Sequence, residues 1–358
     1  MDSIPKNFAK HAFDACEPLK ALIELTTRCN YRCGHCYNFN RHNPTYKGDK
    51  GLSTEEVLAL ISELAKLGVV ELTFSGGEPL LRPDIAQLIA HSYSLHLITL
   101  LKTNGSLLDA ELLAELAETG LSEVEITIYG FSAESHDAFT GVKGSFEATL
   151  QAIEEFGSYS SELKVFVTAA VLAHNHQELH LQPDLEKRLG QKIRANAVCH
   201  GRNDLDQSSK AHAPDLDTLV KLRPVSQAEL ATFKNTPSGD ASTFRCGCAR
   251  ISCAIMATGD VVPCVEAPWV AGNIRDASIY DIWHSSEVFK SIRNLKSEDW
   301  KTCHGCSLTQ VCERRNCSAY KYDAIYTDPD PASGELTYER FRPFGAVKPA
   351  CLNILEVD

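Results

Sequence analysis

Fourteen unevenly placed cysteines constrain this chain more than any other feature of its sequence. Cys29, Cys33 and Cys36 stand together near the start, nine lie between Cys246 and Cys351, and only Cys16 and Cys199 stand apart. The stretch between Cys36 and Cys199 holds none. Thiols at this density in a reducing compartment lack disulfide partners, and their usual employment there is metal binding. The start, MDSIPKNFAKHAFDACEPLK, lacks the apolar core of a signal peptide, and no apolar run reaches the ~18 residues of a membrane span. A soluble, cytoplasmic protein with no membrane partner is expected. The net charge of -12, from 35 basic and 47 acidic side chains, argues against a phosphate-tracking surface, so no nucleic-acid partner is expected.

With 358 residues, 44% of them hydrophobic, the chain is long enough for two domains of ~100–200 residues. The cysteine-free stretch has a strand-helix rhythm. Ala21 to Leu25 reads as a buried strand, and Ser53 with Glu56 forms a capping box before the apolar face of Val57, Leu60, Ile61 and Leu64. Strands at Val69 to Phe74, His96 to Leu101, Val124 to Ile128, Val165 to Val171 and Ile193 to Val198 alternate with helices at Asp84 to Tyr93, Leu108 to Thr119, Phe146 to Phe156 and Glu178 to Leu189. About six such units imply parallel strands with helices outside. They are too few for a closed eight-stranded barrel, which leaves an open partial barrel or a doubly wound sheet, with ligands at the C-terminal strand ends in either case. The polar segment 200–224 reads as a loop or linker, and Ile279 to Leu295 as the one strong helix of the C-terminal part.

The first cysteine group, TTRCNYRCGHCYNF, has a C-x3-C-x2-C spacing in a loop directly after the first strand. Three thiolates are one short of the four that close a zinc site or fully ligate a four-iron cluster. A structural zinc with His35 as fourth ligand is one alternative, although His35 lies between two of the cysteines, where reaching the same metal strains the loop. LTFSGGEPLLRPD closes the second strand. There Gly76 and Gly77 let the backbone approach a ligand and expose amide groups, while Glu78 supplies a carboxylate able to hold an ammonium. Alone, such a turn is commonplace.

Together, the three-cysteine loop and the Gly-Gly-Glu-Pro turn resemble the radical S-adenosylmethionine (radical SAM) enzymes. The resemblance implies that Cys29, Cys33 and Cys36 hold a [4Fe-4S] cluster whose remaining iron is chelated by the amino and carboxylate groups of S-adenosylmethionine. It places Gly76, Gly77 and Glu78 against the methionine ammonium and Tyr37 near the adenine. Thr103, Asn104 and Gly105 close the third strand as the family's polar turn does. Thr127 stands where a serine often meets the ribose or carboxylate, although TIYG departs from the commoner Ser-x-Asp pattern. The chemistry implied is reductive cleavage to a 5'-deoxyadenosyl radical, followed by hydrogen abstraction. Splitting a sulfonium needs an electron at very negative potential, within the range of thiolate-ligated clusters, and chelation makes its transfer effectively intramolecular.

The C-terminal cysteines run through RCGCARISCAIMATGDVVPC and CHGCSLTQVCERRNC to Cys351. Cys246-x12-Gly259-x4-Cys264, then Cys303-x2-Cys306-x5-Cys312 and Cys317, resemble the SPASM extension of radical SAM enzymes, which usually binds two auxiliary [4Fe-4S] clusters. The implied partition gives Cys264, Cys317, Cys253 and either Cys246 or Cys248 to the first cluster, and Cys303, Cys306, Cys312 and Cys351 to the second. Two departures stand out: four residues separate Cys312 from Cys317 where three are usual, and nine cysteines are present where eight suffice. A pair of zinc ribbons is the structural alternative. Against it, Gly272, Asn273, Ile279, Ile282 and Trp283 resemble the family's connector, although as bare physics Trp283 and Phe289 read as helix-face core.

The fold expected with this resemblance is α/β: a partial (β/α)6 TIM-like barrel over 1–199, a linker or bridging region over 200–242, and a small cysteine-rich, cluster-binding domain over 243–358. Other residues carry less. His174, His176 and His180 include an i, i+4 pair on an expected helix, but a solvated helix start explains them. His136 and Asp137 sit near a strand end and equally suit a helix start. Glu266 is a candidate base near the first auxiliary cluster, Val265 replaces the Asp of sulfatase-maturing relatives, and Cys16 and Cys199 read as buried apolar thiols.

The resemblance implies modification of a ribosomally made precursor peptide by crosslinking, epimerisation or another oxidative change, with a reductant such as flavodoxin or ferredoxin. With the first loop cysteine at residue 29, leader recognition is expected from a separate leader-binding protein or a surface of the catalytic domain. One alternative is a small-molecule dehydrogenase or decarboxylase acting on an aminoglycoside or haem-type intermediate. Another is a non-catalytic iron-sulfur or zinc protein.

Overall fold

The computed structural model describes residues 5–38, 51–160, 162–197, 199, 202, 206, 208–235, 246–265, 267, 269–295, 306, 308, 331–344 and 346. Helix α1 (Lys6–Ala15) leads into β1 (Lys20–Glu24), whose cysteine loop precedes α2 (Thr54–Leu67). The alternation continues through β2 (Glu71–Ser75), α3 (Ile85–Ser94), β3 (Ile98–Thr103), α4 (Ala110–Ala117) and β4 (Glu123–Ile128). Two consecutive helices, α5 (Ala133–Thr140) and α6 (Ser145–Tyr159), separate β4 from β5 (Lys164–Ala170). A 3-10 stretch, His176–Leu181, then runs into α7 (Gln182–Leu189), ahead of β6 (Ile193–Asn196).

These six strands are parallel and lie in chain order, each beside its predecessor. Sequential order settles the alternative left open by the sequence. A doubly wound sheet reverses its order at a switch point, whereas a strand order without reversal is that of a partial barrel. The outer face follows period two: Ile23, Phe74, Leu101 and Val124 are buried on it, under Val57, Ile61 and Leu64 of α2 and Leu150, Ile153 and Phe156 of α6. Ser53 and Glu56 exchange hydrogen bonds at the start of α2, as their spacing predicts.

The sheet does not stop at β1. Its other edge takes up β7 (Ser252–Ile255), paired in parallel from Lys20↔Ser252 to Ile23↔Ile255, and then β8 (Asp260–Val262) and β9 (Gly272–Asn273) in antiparallel order. Consequently the compact units do not follow the boundaries 1–199, 200–242 and 243–358. One unit comprises Met1–Pro214 with Ala249–Phe289, and the other Asp215–Cys248 with Lys290–Asp358.

In the first unit, the expected single helix over Ile279 to Leu295 is broken. Helix α10 (Ile279–Ser285) stops at Ser286, whose extended backbone separates it from the start of the next helix. Trp283 and Phe289 are fully buried in edge-to-face contact at 5.3 Å, the core role that bare physics assigns them. Trp283 also donates its indole N–H to the Cys16 carbonyl.

The second unit contains two helices where the sequence reads as linker, α8 (Leu216–Leu222) and α9 (Gln227–Asn235). Asp215 caps α8, and Ser226 and Glu229 form a capping box on α9. That S-x-x-E signal is present in the sequence but has no strong apolar face behind it. The helix over Glu287–Asn294 (α11) and the helix over Pro331–Phe341 (α12) complete the described elements. In this unit Phe341 and Leu308 are buried, with Phe233 and Cys306 packed against them, and Arg340 links the Arg223 carbonyl to Glu229. No helix among the described residues is long and apolar enough to cross a membrane.

Candidate active site

A cavity of about 350 Å³ opens at the C-terminal ends of the barrel strands. It brings together Cys29, Cys33 and Cys36, Tyr37 beside them, Gly76, Gly77 and Glu78 after β2, Asn104 after β3, and Thr127 on β4. Residues far apart in sequence thus meet where parallel strands end, because every loop on that side leaves the sheet at one level.

The cysteine loop is held from both sides. Gly77 N–H donates to the Thr26 carbonyl at 2.7 Å and Glu78 N–H to that of Arg28 at 2.8 Å. The Arg82 guanidinium donates to the carbonyls of Leu25 and Leu52 while gripping Asp84. Arg32 N–H reaches the Thr140 carbonyl, and the buried Tyr31 hydroxyl meets Thr149 at 2.9 Å. The sequence reading of the two glycines needs correction here. The backbone they approach is the chain's own: a methyl group at Gly77 would clash with Arg28, and one at Gly76, whose φ is +134°, with Thr26. The amides of Gly77 and Glu78 are spent on the loop, so they are not displayed to a ligand.

Glu78 is buried and accepts three hydrogen bonds, from Leu80 N–H at 3.0 Å, the Thr103 hydroxyl at 2.6 Å and Asn104 N–H at 2.8 Å. Burial nonetheless pushes its carboxyl above the usual range. An ionised carboxylate has about four acceptor sites, which leaves one for a cation. Asn104 extends the chain of contacts to Asn30 at 2.8 Å, and its amide lies 4.0 Å from the Cys29 sulfur. Tyr31 N–H points at the same sulfur, at 3.4 Å. Such donors stabilise a thiolate and tune a cluster that it ligates.

The barrel's inner face supplies residues that the motifs do not mark. Lys102 and Glu125 form an ion pair at 3.2 Å, and Tyr129, Thr168, Ala170 and Asn196 join them in lining the cavity. A signal for part of this was available, since Glu125 and Thr127 alternate with the buried Val124, Ile126 and Ile128. Glu24, also unmarked, ends β1 fully buried and accepts the Tyr37 hydroxyl. His35 lies between the rings of Tyr129 and Phe139, 5.2 Å from each.

The other sequence candidates serve structure. His136 is buried and accepts the Tyr129 amide, and Asp137 accepts Gly144 N–H, Phe146 N–H and the Ser145 hydroxyl at the start of α6. His176 and His180 fall in a 3-10 stretch, so an i, i+4 spacing does not stack them, and His174 lies flat on Phe139 at 4.7 Å. Cys199, expected to be buried, is half-buried, and desolvation pushes its thiol up to about 11. Cys16 differs from that expectation. It is half-buried, caps α1 at φ +57°, and receives a hydrogen bond from Arg250 at 3.8 Å.

Of the C-terminal cysteines, Cys253 is buried on β7 opposite Ala21, and Cys264 is half-buried in a bridge to Ala267. Cys246, Cys248 and Cys306 are half-buried in the second unit. Cys303, Cys312, Cys317, Cys351 and Glu266 lie outside the described residues.

Residues 23–180 match the radical SAM superfamily, and residues 246–307 match an iron-sulfur cluster-binding domain, SPASM. The PqqA peptide cyclase of Rhodopseudomonas palustris is 31% identical over 350 residues, which span 89% of this chain and 88% of the relative. The chain belongs to the radical SAM superfamily. Another relative, the AdoMet-dependent heme synthase of Methanosarcina barkeri, is 29% identical over 86% of this chain and 94% of its own length. In fold, Streptococcus suis SuiB bound to S-adenosylmethionine has a TM-score of 0.66 at 16% identity, over 90% of this chain and 79% of that one.

The cavity's donor set fits the radical SAM cofactors. Three thiols, rather than four, come from one loop and line the cavity. Three thiolates leave a fourth position open for the methionine end of the cofactor, where a closed zinc centre takes four protein ligands. The chain is therefore an enzyme that uses S-adenosylmethionine with a [4Fe-4S] cluster, and its C-terminal domain carries auxiliary iron-sulfur chemistry.

Proposed function

We propose that this radical SAM enzyme matures a ribosomally made precursor peptide, installing a crosslink, an epimerised centre or a related oxidative change. Similarity to the PqqA peptide cyclase along nearly the whole chain is the observation that carries the reading. The cavity wall supports it. Among the described lining residues the one lysine or arginine is Lys102, already paired with Glu125, and the hydroxyls of Thr127 and Thr168 and the amide of Asn196 make the rest of that wall neutral. A haem-type intermediate carries several carboxylates and calls for several unpaired cations; a peptide side chain does not.

Cys29, Cys33 and Cys36 would hold the cluster, with Gly76, Gly77, Glu78 and Asn104 on the methionine side and Tyr37 and Thr127 toward the nucleoside. When bound, these groups supply an electron-driven carbon-sulfur cleavage and hydrogen abstraction. The chain's own part is to anchor the loop, orient the methionine and surround the reacting carbon with a walled cavity that limits solvent access. Cys246, Cys248, Cys253, Cys264, Cys303, Cys306, Cys312, Cys317 and Cys351 are the candidate ligands of the auxiliary clusters. A flavodoxin- or ferredoxin-type reductant, a leader-binding partner and a cytoplasmic site of action belong to the same proposal.

The test is anaerobic coexpression with short peptides encoded beside the gene, followed by mass spectrometry and residue chirality analysis. A mass change or an inverted residue that depends on Cys29 is expected. Unaltered mass and chirality, together with turnover of a haem-type tetracarboxylate, would overturn the reading.

A further inference from the structure

Glu24 lies outside every motif and yet sits at the base of the cysteine loop. It is 1% exposed, and it is the in-register partner of Ser75, which lines the cavity. Its carboxyl group accepts the Tyr37 hydroxyl at 2.6 Å and the backbone amide of Ala257, in the turn after β7. Tyr37 hydrogen-bonds Ser75 as well. The chain therefore leaves β1 at Glu24, makes the three-cysteine loop, and is tied back to its point of departure at Tyr37. Among the described residues no cation is a partner of the carboxyl group, and burial raises it to about 7. A polar group is expensive to keep in such a place unless its hydrogen bonds are made.

We propose that Glu24 is a positioning residue for S-adenosylmethionine binding: acting through Tyr37, it closes the base of the cysteine loop and fixes that ring in the cavity wall. The chemistry requires an acceptor of fixed position. A phenol with its partner removed turns to find another, and the wall that the ring forms moves with it. A glutamine at this position keeps an acceptor oxygen for the phenol, whereas a leucine keeps the volume and removes the acceptor. If both the acceptor and the hydroxyl are removed, neither member of the Glu24–Tyr37 pair is left stranded, although the Ala257 amide loses its acceptor, so the effects of the two changes on the ring's position do not add.

The experiment uses the full chain, reconstituted anaerobically, as wild type, Glu24→Leu, Glu24→Gln, Tyr37→Phe and Glu24→Leu/Tyr37→Phe. Iron content, S-adenosylmethionine affinity by calorimetry, and the change that S-adenosylmethionine causes in the reduced cluster's EPR spectrum are measured. Glu24→Leu is expected to weaken binding about tenfold at unchanged iron content, the loss of roughly one hydrogen bond. Glu24→Gln should recover most of that affinity, and the double variant should bind no worse than Tyr37→Phe. Wild-type affinity in Glu24→Leu, or a Glu24→Gln variant as weak as Glu24→Leu, overturns the proposal. If Glu24→Leu fails to retain iron, the Tyr37→Phe arm decides: weakened binding with an altered EPR response supports the proposal, and unchanged affinity overturns it. No peptide enters the assay, so the outcome is independent of the substrate reading.

Discussion

His136 Nδ1 accepts the Tyr129 amide at 3.2 Å, while its Nε2 is buried with no hydrogen-bond partner among the described residues. The ring packs beside Tyr31, Tyr129 and Phe146. Desolvation pushes its pKa down to about 4, and the nearby Asp137 offsets this only in part. Above pH 6.5 the ring is neutral whether the chain is folded or not. Between 6.5 and 4 the unfolded chain takes up a proton that the folded chain refuses, so stability falls as pH falls. Over that window the loss reaches about 3 kcal/mol. Urea unfolding at pH 7 and pH 5 is expected to show a steeper acid loss in the wild type than in His136→Gln. Equal slopes would mean that the imidazole is not held neutral.

At the scale of elements, Asp137 joins two helices, of which the sequence reading shows only the second. Its carboxylate accepts from Gly144 N–H at 2.6 Å, Phe146 N–H at 2.8 Å and the Ser145 hydroxyl at 2.9 Å, capping α6 from within α5. Removing it leaves those groups without the acceptor, so Asp137→Ala is expected to cost about 2–3 kcal/mol, seen as a lowered urea midpoint. Helix α6 also bears Thr149, which holds the Tyr31 hydroxyl and the Asn104 carbonyl, so looser iron retention should accompany the loss. Such ties explain what was legible beforehand. The six parallel strands and most of their helices followed from local periodicity, because each buries one face. Helix α5 was hidden because its apolar positions are few, and α8 and α9 because polar residues crowd their turns. The pairing of β7 with β1 has no local sign at all, since its partner lies at the other end of the chain. At the site, cysteine spacing and the Gly-Gly-Glu turn were legible because each is a short, contiguous geometry. Glu125 was legible only in part, from its alternation with buried neighbours, and Lys102 and Glu24 were not, because only strand register brings Lys102 to the cavity and Glu24 beside Ser75, which lines it.

For the whole molecule, apolar burial and cluster ligation are two separate sources of order. The barrel unit buries a continuous layer of aliphatic side chains between sheet and helices, enough to order a domain without metal. Among the described residues of the second unit the buried apolar centre is Phe341 and Leu308, joined by partly buried neighbours such as Phe233 and Cys306. Where cysteines ligate clusters, metal binding contributes to the folding of a small domain. Anaerobically reconstituted protein with three four-iron clusters should carry ~12 iron atoms per chain, and Cys29→Ala/Cys33→Ala/Cys36→Ala ~8. Chelating all iron should then expose the segment 290–358 to limited proteolysis while the barrel strands stay protected, because the barrel retains its hydrophobic layer and the second unit loses its principal cross-links. An iron count that falls to zero with the triple substitution would show that the C-terminal cysteines hold no cluster of their own, and equal protection of both units after chelation would show that ligation does not order the second.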